Sequence, residues 1–167
     1  MKIFGIGLTR TGTTSLTQAL KMLGYSSIHC PHSYAQIHYH DASTDTPVAA
    51  RFPILDHKYP NSKFILTTRN KDTWIDSAAS LTRNKHDLLW KLEGRLTLWK
   101  SLIFDREKFL TGYDVHHKFV MDYFHDRPED LLILPIEQEN KWDVLCSFLN
   151  KDIPQYEYPH LNRRFGQ

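Results

Sequence analysis

The sequence predicts an α/β fold, with a mostly parallel central sheet covered by helices on both faces in three αβα layers. Two observations predict it. Apolar runs rich in β-forming residues, at 2–8, 63–68 and 131–134, alternate with segments in which apolar residues recur every three or four positions. Such alternation is typical of parallel strands joined by helices, and these sheets bind ligands beyond the carboxyl ends of their strands.

The N-terminal part of the chain predicts a strand, a loop and a helix. Residues 2–8 have no helical period and predict a central buried strand. After the loop, apolar residues at helical spacing predict a helix that Gly24 terminates; they are Leu16, Ala19, Leu20 and Leu23. Residues 26–30 predict a second short strand, and the polar, His-rich stretch up to Thr46 predicts a loop with one turn of helix.

The rest of the chain continues the alternation. Helical spacing over 48–59 is interrupted by Pro53, and residues 63–68 predict a buried strand that ends at Arg69. Further helices are predicted over 72–81, 88–109 and 115–124, with Gly112 separating the last two. Residues 131–134 predict another buried strand, which a helix and an irregular tail over 152–167 follow.

Length and composition exclude several classes of protein. A chain of 167 residues fits one domain, residues 1–167. The net charge of +2 is too small for a nucleic-acid coat or a membrane-surface domain, so we expect no nucleic-acid and no membrane partner. Cys30 and Cys146 lack CxxC spacing, which argues against a disulfide scaffold and favours a reducing, cytoplasmic location.

A phosphate-binding loop is predicted between the first strand and the first helix. Gly7 and Gly12 have the spacing of such loops, where backbone N–H groups and the helix dipole favour an anion. The Lys that nucleotide triphosphatases carry after the second glycine is Thr13 here, which argues against ATP or GTP hydrolysis. One guanidinium and a row of hydroxyls remain to hold a 5′-phosphate; the predicted ligand-binding residues are Thr9, Arg10, Thr11, Gly12, Thr13, Thr14 and Ser15. The alternative is a plain turn in which Thr13 or Thr14 caps the helix.

Two segments resemble one known family. The run Arg10-Thr11-Gly12-Thr13-Thr14-Ser15-Leu16 resembles the 5′-phosphosulfate loop of sulfotransferases that use 3′-phosphoadenosine-5′-phosphosulfate (PAPS). The segment KFILTTRNKDTWIDS, at 63–77, is similar to the 3′-phosphate strand and helix of that family, with Arg69 at the strand end and Ser77 in the helix. The likeness extends less specifically through the C-terminal part and implies a P-loop NTPase-like sulfotransferase fold.

The resemblance implies that Arg69 and Ser77 grip the 3′-phosphate of the donor. Taken singly, these residues also fit an ion pair to Asp72 or Asp76 and a helix-filling serine. Better-known cytosolic members use a late basic loop that is absent from this chain. Arg163 and Arg164 are candidates to replace it, and Arg164 is predicted to bind the donor, although basic residues near a terminus are more often solvated.

The implied reaction is sulfuryl transfer from PAPS to a hydroxyl or amine of a small molecule, with adenosine 3′,5′-bisphosphate as the product. Arg10 then neutralises charge on the leaving phosphate, and no metal is required. The acceptor must lose a proton, and the family uses a His or a carboxylate for this. Asp45 is the first candidate for the catalytic base, ahead of His57 and His32, and a turn-forming role for Asp45 is an equal alternative.

The histidines do not predict a metal site. The pairs at 29 and 32, at 38 and 40, and at 116 and 117 lack the Cys or carboxylate partners of an established zinc site. Four of them lie in the irregular stretch, where they line an acceptor pocket or are simply solvated; these are His29, His32, His38 and His40.

Two other functions stay open. One is a nucleotide kinase or hydrolase of the same fold, disfavoured by Thr13 and by the lack of a carboxylate after an apolar strand. The other is a binding protein without transfer activity, because the short chain leaves little sequence to enclose an acceptor. The helical middle over 88–124 is predicted to form an acceptor wall or a homodimer face, or to serve plain core packing, through Trp90, Trp99 and Phe109.

Overall fold

The computed structural model describes residues 1–80 and 89–161 and is built on a five-stranded, all-parallel sheet. The strand order is β2-β3-β1-β4-β5. The strands are β1 (Ile3–Gly5), β2 (Ser27–His29), β3 (Ala42–Thr44), β4 (Lys63–Thr68) and β5 (Leu131–Pro135). The predicted α/β class with a parallel central sheet is therefore confirmed.

Helices occupy the connections between the strands. They are α1 (Thr13–Met22), α2 (Tyr34–Tyr39), α3 (Thr46–Ala49), α4 (Phe52–Lys58), α5 (Lys71–Ala78), α6 (Leu89–Trp99), α7 (Arg106–Tyr123) and α8 (Lys141–Leu149). A short 3₁₀ turn, Pro128–Asp130, precedes β5. In the described parts of the chain, no helix has the length and apolar character needed to cross a membrane.

The pleat of the strands divides the core between the two faces of the sheet. Ile3 and Ile65 pack on one face against α1 and α8. Phe4 and Phe64 point to the opposite face, where they pack against helices α2, α3, α4 and α7. Because successive strand residues point to opposite sides, these alternating apolar positions produce the three predicted layers.

The third strand in chain order, β3, was not predicted from the sequence. Its residues Ala42, Ser43 and Thr44 are fully buried but include two hydroxyl side chains, so they carry no apolar signal. Parallel pairing with both β1 and β2 holds the strand in place. The sequence prediction of a loop up to Thr46 was wrong for this segment, whereas the turn of helix predicted within the same stretch corresponds to α2.

The predicted break at Gly112 was also wrong. Helix α7 runs through Gly112. The break lies instead between Trp99, where α6 ends, and Asp105, which directly precedes α7. The Asp105 carboxylate caps α7 by accepting the Lys108 N–H at 3.1 Å. Gly112 serves close packing, because a Cβ there would lie 2.6 Å from Cδ1 of Trp99. The predicted helix ends at Leu81 and Leu88 lie outside the described residues.

Candidate functional site

An open cleft of about 930 Å³ lies beyond the carboxyl ends of the strands. Its walls come from the segments that follow β1, β2, β3 and β4, and from helix α6. The strand β1 is central; the connection that leaves it runs toward β2, whereas the connection that leaves its neighbour β3 runs the opposite way along the sheet, to β4. Ligands of parallel α/β proteins bind at this kind of switch point.

The loop that follows β1 in the chain approaches β4 very closely at Gly7. A Cβ at this position would lie 2.6 Å from the carbonyl oxygen of Thr67 and 2.8 Å from Oγ1 of Thr11. The Thr11 hydroxyl bonds Thr67 Oγ1 at 2.7 Å and donates to the Leu8 carbonyl at 2.6 Å. These contacts tie the loop to the end of β4.

Helix α1 begins with its backbone donors directed at the cleft. Gly12 is the N-cap residue with φ 97°, a conformation that favours glycine, and its position provides no capping side chain. Both alternative caps, Thr13 and Thr14, instead lie inside the helix. The first N–H groups of α1 and the positive end of its dipole thus face the cleft, which suits an anion.

The remaining loop hydroxyls lie around this helix start. Oγ1 of Thr13 and Oγ1 of Thr14 are each 3.2 Å from Nε2 of His29. The Ser15 hydroxyl accepts the Leu161 N–H at 3.0 Å, which brings the end of the described chain to the same wall. All three side chains line the cleft.

The two predicted anion sites meet in one place. Nε of Arg10 donates to Oγ of Ser77 at 2.9 Å, and Nη1 of Arg69 donates to the Arg10 carbonyl at 3.4 Å. Arg69 also donates from Nε to Thr73 Oγ1 at 3.1 Å, while Asp76 lies 3.5 Å from Nη1 of Arg106. Arg10, Arg69 and Ser77 therefore share the cleft, as the sequence predicted from segments 67 residues apart.

Asp45 is a buried carboxylate at the cleft, only 5% exposed. It follows β3 directly and adopts φ 85° and ψ 179°, an unfavourable conformation for a residue with a side chain. Its side chain does not cap α3. Instead, Oδ1 lies 3.4 Å from the Thr13 hydroxyl and Oδ2 lies 3.5 Å from Nε2 of His29. The buried carboxylate is thus directed at the start of α1.

Aromatic and imidazole donors from two helices hold the loop backbones in position. Nε1 of Trp74, in α5, donates to the Thr9 carbonyl at 3.0 Å. From α7, the Tyr113 hydroxyl donates to the Arg69 carbonyl at 2.5 Å, and Nε2 of His116 contacts the Ile6 carbonyl at 2.8 Å. Because a carbonyl only accepts, the His116 proton lies on Nε2.

Burial sets the protonation of these helix donors. It lowers the pKa of His116 to about 4, against a smaller effect of the bond to Ile6, so the ring is neutral at neutral pH. Burial also raises the pKa of Tyr113, which keeps its hydroxyl proton available for the Arg69 carbonyl. Both donors are therefore permanent under physiological conditions.

The histidines predicted near the site divide into two groups. His29 lines the cleft, whereas His32 and His57 are exposed and are not among the lining residues within 1–80 and 89–161. His38 contacts the rings of Tyr39 and Tyr59 on the far side of α2. In the described parts of the chain, no three His, Cys, Asp or Glu side chains group as metal ligands.

The predicted acceptor wall is only partly at the cleft. Trp99 lines it, while Trp90 stacks edge-on against Tyr34 and Phe109 packs against Trp99 in the core. Arg163 and Arg164 lie outside the described residues, so their predicted donor contact stays a prediction.

Sequence reasoning named His29 only as a candidate lining residue of an acceptor pocket, and it missed Lys91 and Arg95. The contact of His29 with Asp45 follows from its position at the carboxyl end of β2, a signal that was present in the sequence. Lys91 and Arg95 enter from α6, and only the packing of that helix reveals where its cations point.

Comparisons with known proteins agree with this geometry. The profile of the sulfotransferase domain family matches residues 2–40 and 34–165. The chain is also similar to "Ava biosynthesis cluster protein M" of Aspergillus versicolor, with 25% identity over an alignment that covers 96% of this chain and 80% of that protein. Since the family profile covers most of the sequence, the chain belongs to the sulfotransferase domain family.

Proposed function

We propose that this chain transfers the sulfuryl group of PAPS to a hydroxyl or amine of a small molecule. The observation that carries the proposal is the contact between Arg10 and Ser77, at 2.9 Å, because it joins the two segments that resemble the grips for the 5′-phosphosulfate and the 3′-phosphate. The amides at the start of α1 face the same cleft, where a 5′-phosphate would be held.

The donor would lie across the carboxyl edge of the sheet. Its 5′-phosphosulfate would contact Thr9–Ser15, and its 3′-phosphate would contact Arg69 and Ser77 on the β4 side. The sulfuryl group then points toward β3 and β2, where Asp45 and His29 lie. Arg164, outside the described residues, remains a further proposed contact to the donor.

In the proposed reaction, the acceptor oxygen or nitrogen attacks sulfur, and the bond from sulfur to the bridging oxygen of the 5′-phosphate breaks. Arg10 neutralises the charge that develops on that oxygen. Asp45 takes the acceptor proton, since it is the buried carboxylate beside the loop, whereas Asp76 and Glu137 are exposed. His29 orients this carboxylate or relays the proton. The products are a sulfated acceptor and adenosine 3′,5′-bisphosphate.

The test is a calorimetric titration with adenosine 3′,5′-bisphosphate and, as a matched ligand, adenosine 5′-monophosphate. We expect the bisphosphate to bind about tenfold or more tightly, because a phosphate held by a guanidinium contributes a charge-assisted hydrogen bond. Arg69→Met should remove most of this preference. Failure of the bisphosphate to bind at millimolar concentration would refute the proposal, and binding without transfer to a broad panel of acceptors would favour a non-catalytic protein.

A kinase or hydrolase of the same fold is the second candidate, because a carboxylate does follow a strand at the cleft, although β3 is not the apolar strand that the sequence argument named. Asp45 does follow a strand, β3, and lies 3.4 Å from Thr13 at the helix start. Nucleotide triphosphatases use a strand-end carboxylate of this kind to hold magnesium. Thr13 in the position of their Lys still disfavours the reaction, and turnover of ATP with magnesium would revive it.

We also propose that residues 1–167 act as one domain in a reducing, cytoplasmic location. The lack of CxxC spacing between Cys30 and Cys146 supports the reducing location.

A further inference from the structure

The last part of the described chain lies along one wall of the cleft. We call residues 156–161 the C-terminal strap, because they belong to no helix or strand and cross the structure next to the cleft. Four of them line the cleft: Tyr158, Pro159, His160 and Leu161. A segment without helix or sheet bonds depends on individual contacts for its position.

Helix α8 anchors the C-terminal strap through Trp142. Nε1 of Trp142 donates to the Tyr156 carbonyl at 2.7 Å, and its ring meets the ring of Tyr158 edge-on, with the centroids 5.1 Å apart. Trp142 belongs to the same apolar cluster as Leu16 and Leu20 of α1, and Tyr158 packs against this cluster. The C-terminal strap, α8 and α1 thus form one packed unit beside the cleft.

The C-terminal strap also bonds the first turn of α1. The Leu161 N–H donates to Oγ of Ser15 at 3.0 Å, and the two residues are 146 positions apart in the sequence. A serine hydroxyl has one proton and two lone pairs, so a hydroxyl that accepts from an N–H still has its proton to donate. Accepting a hydrogen bond also polarises the O–H group and strengthens the bond that it donates. Because Ser15 lines the cleft, an anion at the start of α1 could receive this proton.

Other hydroxyls of the loop contact other elements. Oγ1 of Thr13 and Oγ1 of Thr14 lie 3.2 Å from Nε2 of His29, at the end of β2. The Thr11 hydroxyl bonds Oγ1 of Thr67, in β4, at 2.7 Å. Three separate parts of the structure, namely β2, β4 and the C-terminal strap, therefore place hydroxyl groups around the loop.

We propose that the C-terminal strap positions the phosphate-binding loop: the Leu161 N–H orients the Ser15 hydroxyl, and this hydroxyl donates its proton to the 5′-phosphate of the donor. This inference rests on the proposed function. Leu161 is a positioning residue, because its backbone acts on the ligand through Ser15. By linkage, a bound phosphate stabilises docking of the C-terminal strap by the same factor by which the docked strap strengthens phosphate binding.

The experiment is a double-mutant cycle on the affinity for adenosine 3′,5′-bisphosphate, measured by titration calorimetry. Leu161→Pro removes the N–H, and Leu161→Ala is its matched control, which shortens the side chain but keeps the N–H. We expect Leu161→Pro to bind the bisphosphate about threefold to tenfold more weakly than Leu161→Ala. When each is combined with Ser15→Ala, the two should bind within about twofold of each other, since no hydroxyl remains to be oriented.

A second measurement needs no proline. Tyr156 is exposed, but its carbonyl is bonded to Trp142, so chymotrypsin can cut after Tyr156 only when the C-terminal strap leaves α8. Saturating bisphosphate should slow this cut about threefold to tenfold in wild type, by the reciprocity of coupling, and less than about twofold in Ser15→Ala. Mass spectrometry of the fragments follows the cut. Equal protection in the two proteins would contradict the coupling through Ser15.

The outcomes separate this inference from the proposed function. If Leu161→Pro and Leu161→Ala bind the bisphosphate equally, or if their difference persists in Ser15→Ala, the positioning role is overturned. If the bisphosphate does not bind wild-type protein, the proposed function fails, and the cycle is measured with inorganic pyrophosphate, which carries phosphate without a nucleoside. A difference that depends on Ser15 then supports the positioning role. No such difference, or no binding of pyrophosphate, overturns it.

Discussion

Arg10 and Asp45 are among the cleft residues whose backbone conformations side chains disfavour. Arg10 has φ 69° and Asp45 has φ 85°, and both lie directly at the proposed centre of the reaction. Such conformations cost about 1–3 kcal/mol each and persist only where surrounding contacts enforce them. In these conformations the Arg10 guanidinium donates to Ser77 and the Asp45 carboxylate lies 3.4 Å from the Thr13 hydroxyl.

Loss of the Arg10 guanidinium should affect the reaction more than binding of the product. We expect Arg10→Met to lower kcat about 10²-fold or more, because a preorganised donor stabilises charge in the transition state. Affinity for adenosine 3′,5′-bisphosphate should fall less. Arg10→Lys keeps the charge and tests the contact of the planar guanidinium with Ser77. The measurement is steady-state kinetics, and a full kcat in Arg10→Met would contradict the role of Arg10 in neutralising charge in the transition state.

Asp45 should show opposite effects on stability and activity. Asp45→Gly relieves the backbone strain, whereas Asp45→Asn keeps it. We therefore expect the free energy of unfolding of the glycine variant to exceed that of the asparagine variant by about 1 kcal/mol. Both variants lack the carboxylate and should lose about 10²-fold or more in kcat. Urea unfolding and kinetics on the same two proteins check this, and an active Asp45→Asn variant would exclude Asp45 as the base.

At the scale of elements, helix α7 acts on the site without lining it. Its Tyr113 and His116 contact the backbone carbonyls of Arg69, at the end of β4, and of Ile6, between β1 and the predicted phosphate-binding loop. Both side chains are buried, and neither is among the lining residues of the cleft in the described ranges. They are positioning residues, because they act through the loops that they hold.

Removing one hydroxyl from α7 tests this positioning. Tyr113→Phe deletes the bond to the Arg69 carbonyl, so we expect affinity for adenosine 3′,5′-bisphosphate to fall about threefold to tenfold, corresponding to about 1 kcal/mol. Tyr123→Phe is the matched control, because the Tyr123 hydroxyl bonds Asp56 away from the cleft. Equal bisphosphate affinity in the two variants would show that Tyr113 is only structural.

The elements that the sequence predicted correctly are those with one clear sequence signal, which is an apolar run for a strand or a terminal glycine for a helix. β1 and β4 are apolar because both of their faces are covered, and α1 ends where Gly24, at φ 87°, was expected. β3 was missed because pairing on both sides, rather than side-chain character, makes it a strand. The spacing of apolar residues likewise cannot distinguish a glycine that ends a helix from Gly112. Gly112 lies inside a helix, at a position where a Cβ would be too close to Trp99.

The same limit applies to the site. Arg10 and Arg69 belong to local motifs and were placed together from the sequence, since parallel strands end at one edge. His29, Lys91 and Arg95 belong to no motif. His29 could still be expected there from its position at the end of β2, whereas the place of Lys91 and Arg95 depends on how helix α6 packs against the rest of the protein, which no local pattern records.

At the scale of the whole molecule, the buried ring of His116 links stability to pH. Its folded pKa is lowered to about 4, below the value of 6.5 in an unfolded chain. Between these values the unfolded state binds a proton that the folded state does not, so stability falls as pH drops. The full effect is about 3 kcal/mol, reached near pH 4.

We therefore expect His116→Gln, which keeps an N–H donor but does not titrate, to lose less stability than wild type between pH 6.5 and about 4. His125→Gln is the control, since His125 is exposed. The measurement is urea unfolding of the three proteins at about pH 7, 5.5 and 4.5. If the free energy of unfolding changed equally with pH in wild type and in His116→Gln, the lowered pKa of His116 would be contradicted.

The absence of a side chain at position 7 determines how far apart the two anion sites lie. Any substituent there would push the loop that follows β1 away from Thr67, the penultimate residue of the neighbouring strand β4. Both binding segments would then separate together. For the proposed donor, a contact between two backbones would therefore set the distance between the two phosphate-binding segments. A wider gap would favour a molecule with more distant phosphates even if every charged side chain stayed the same.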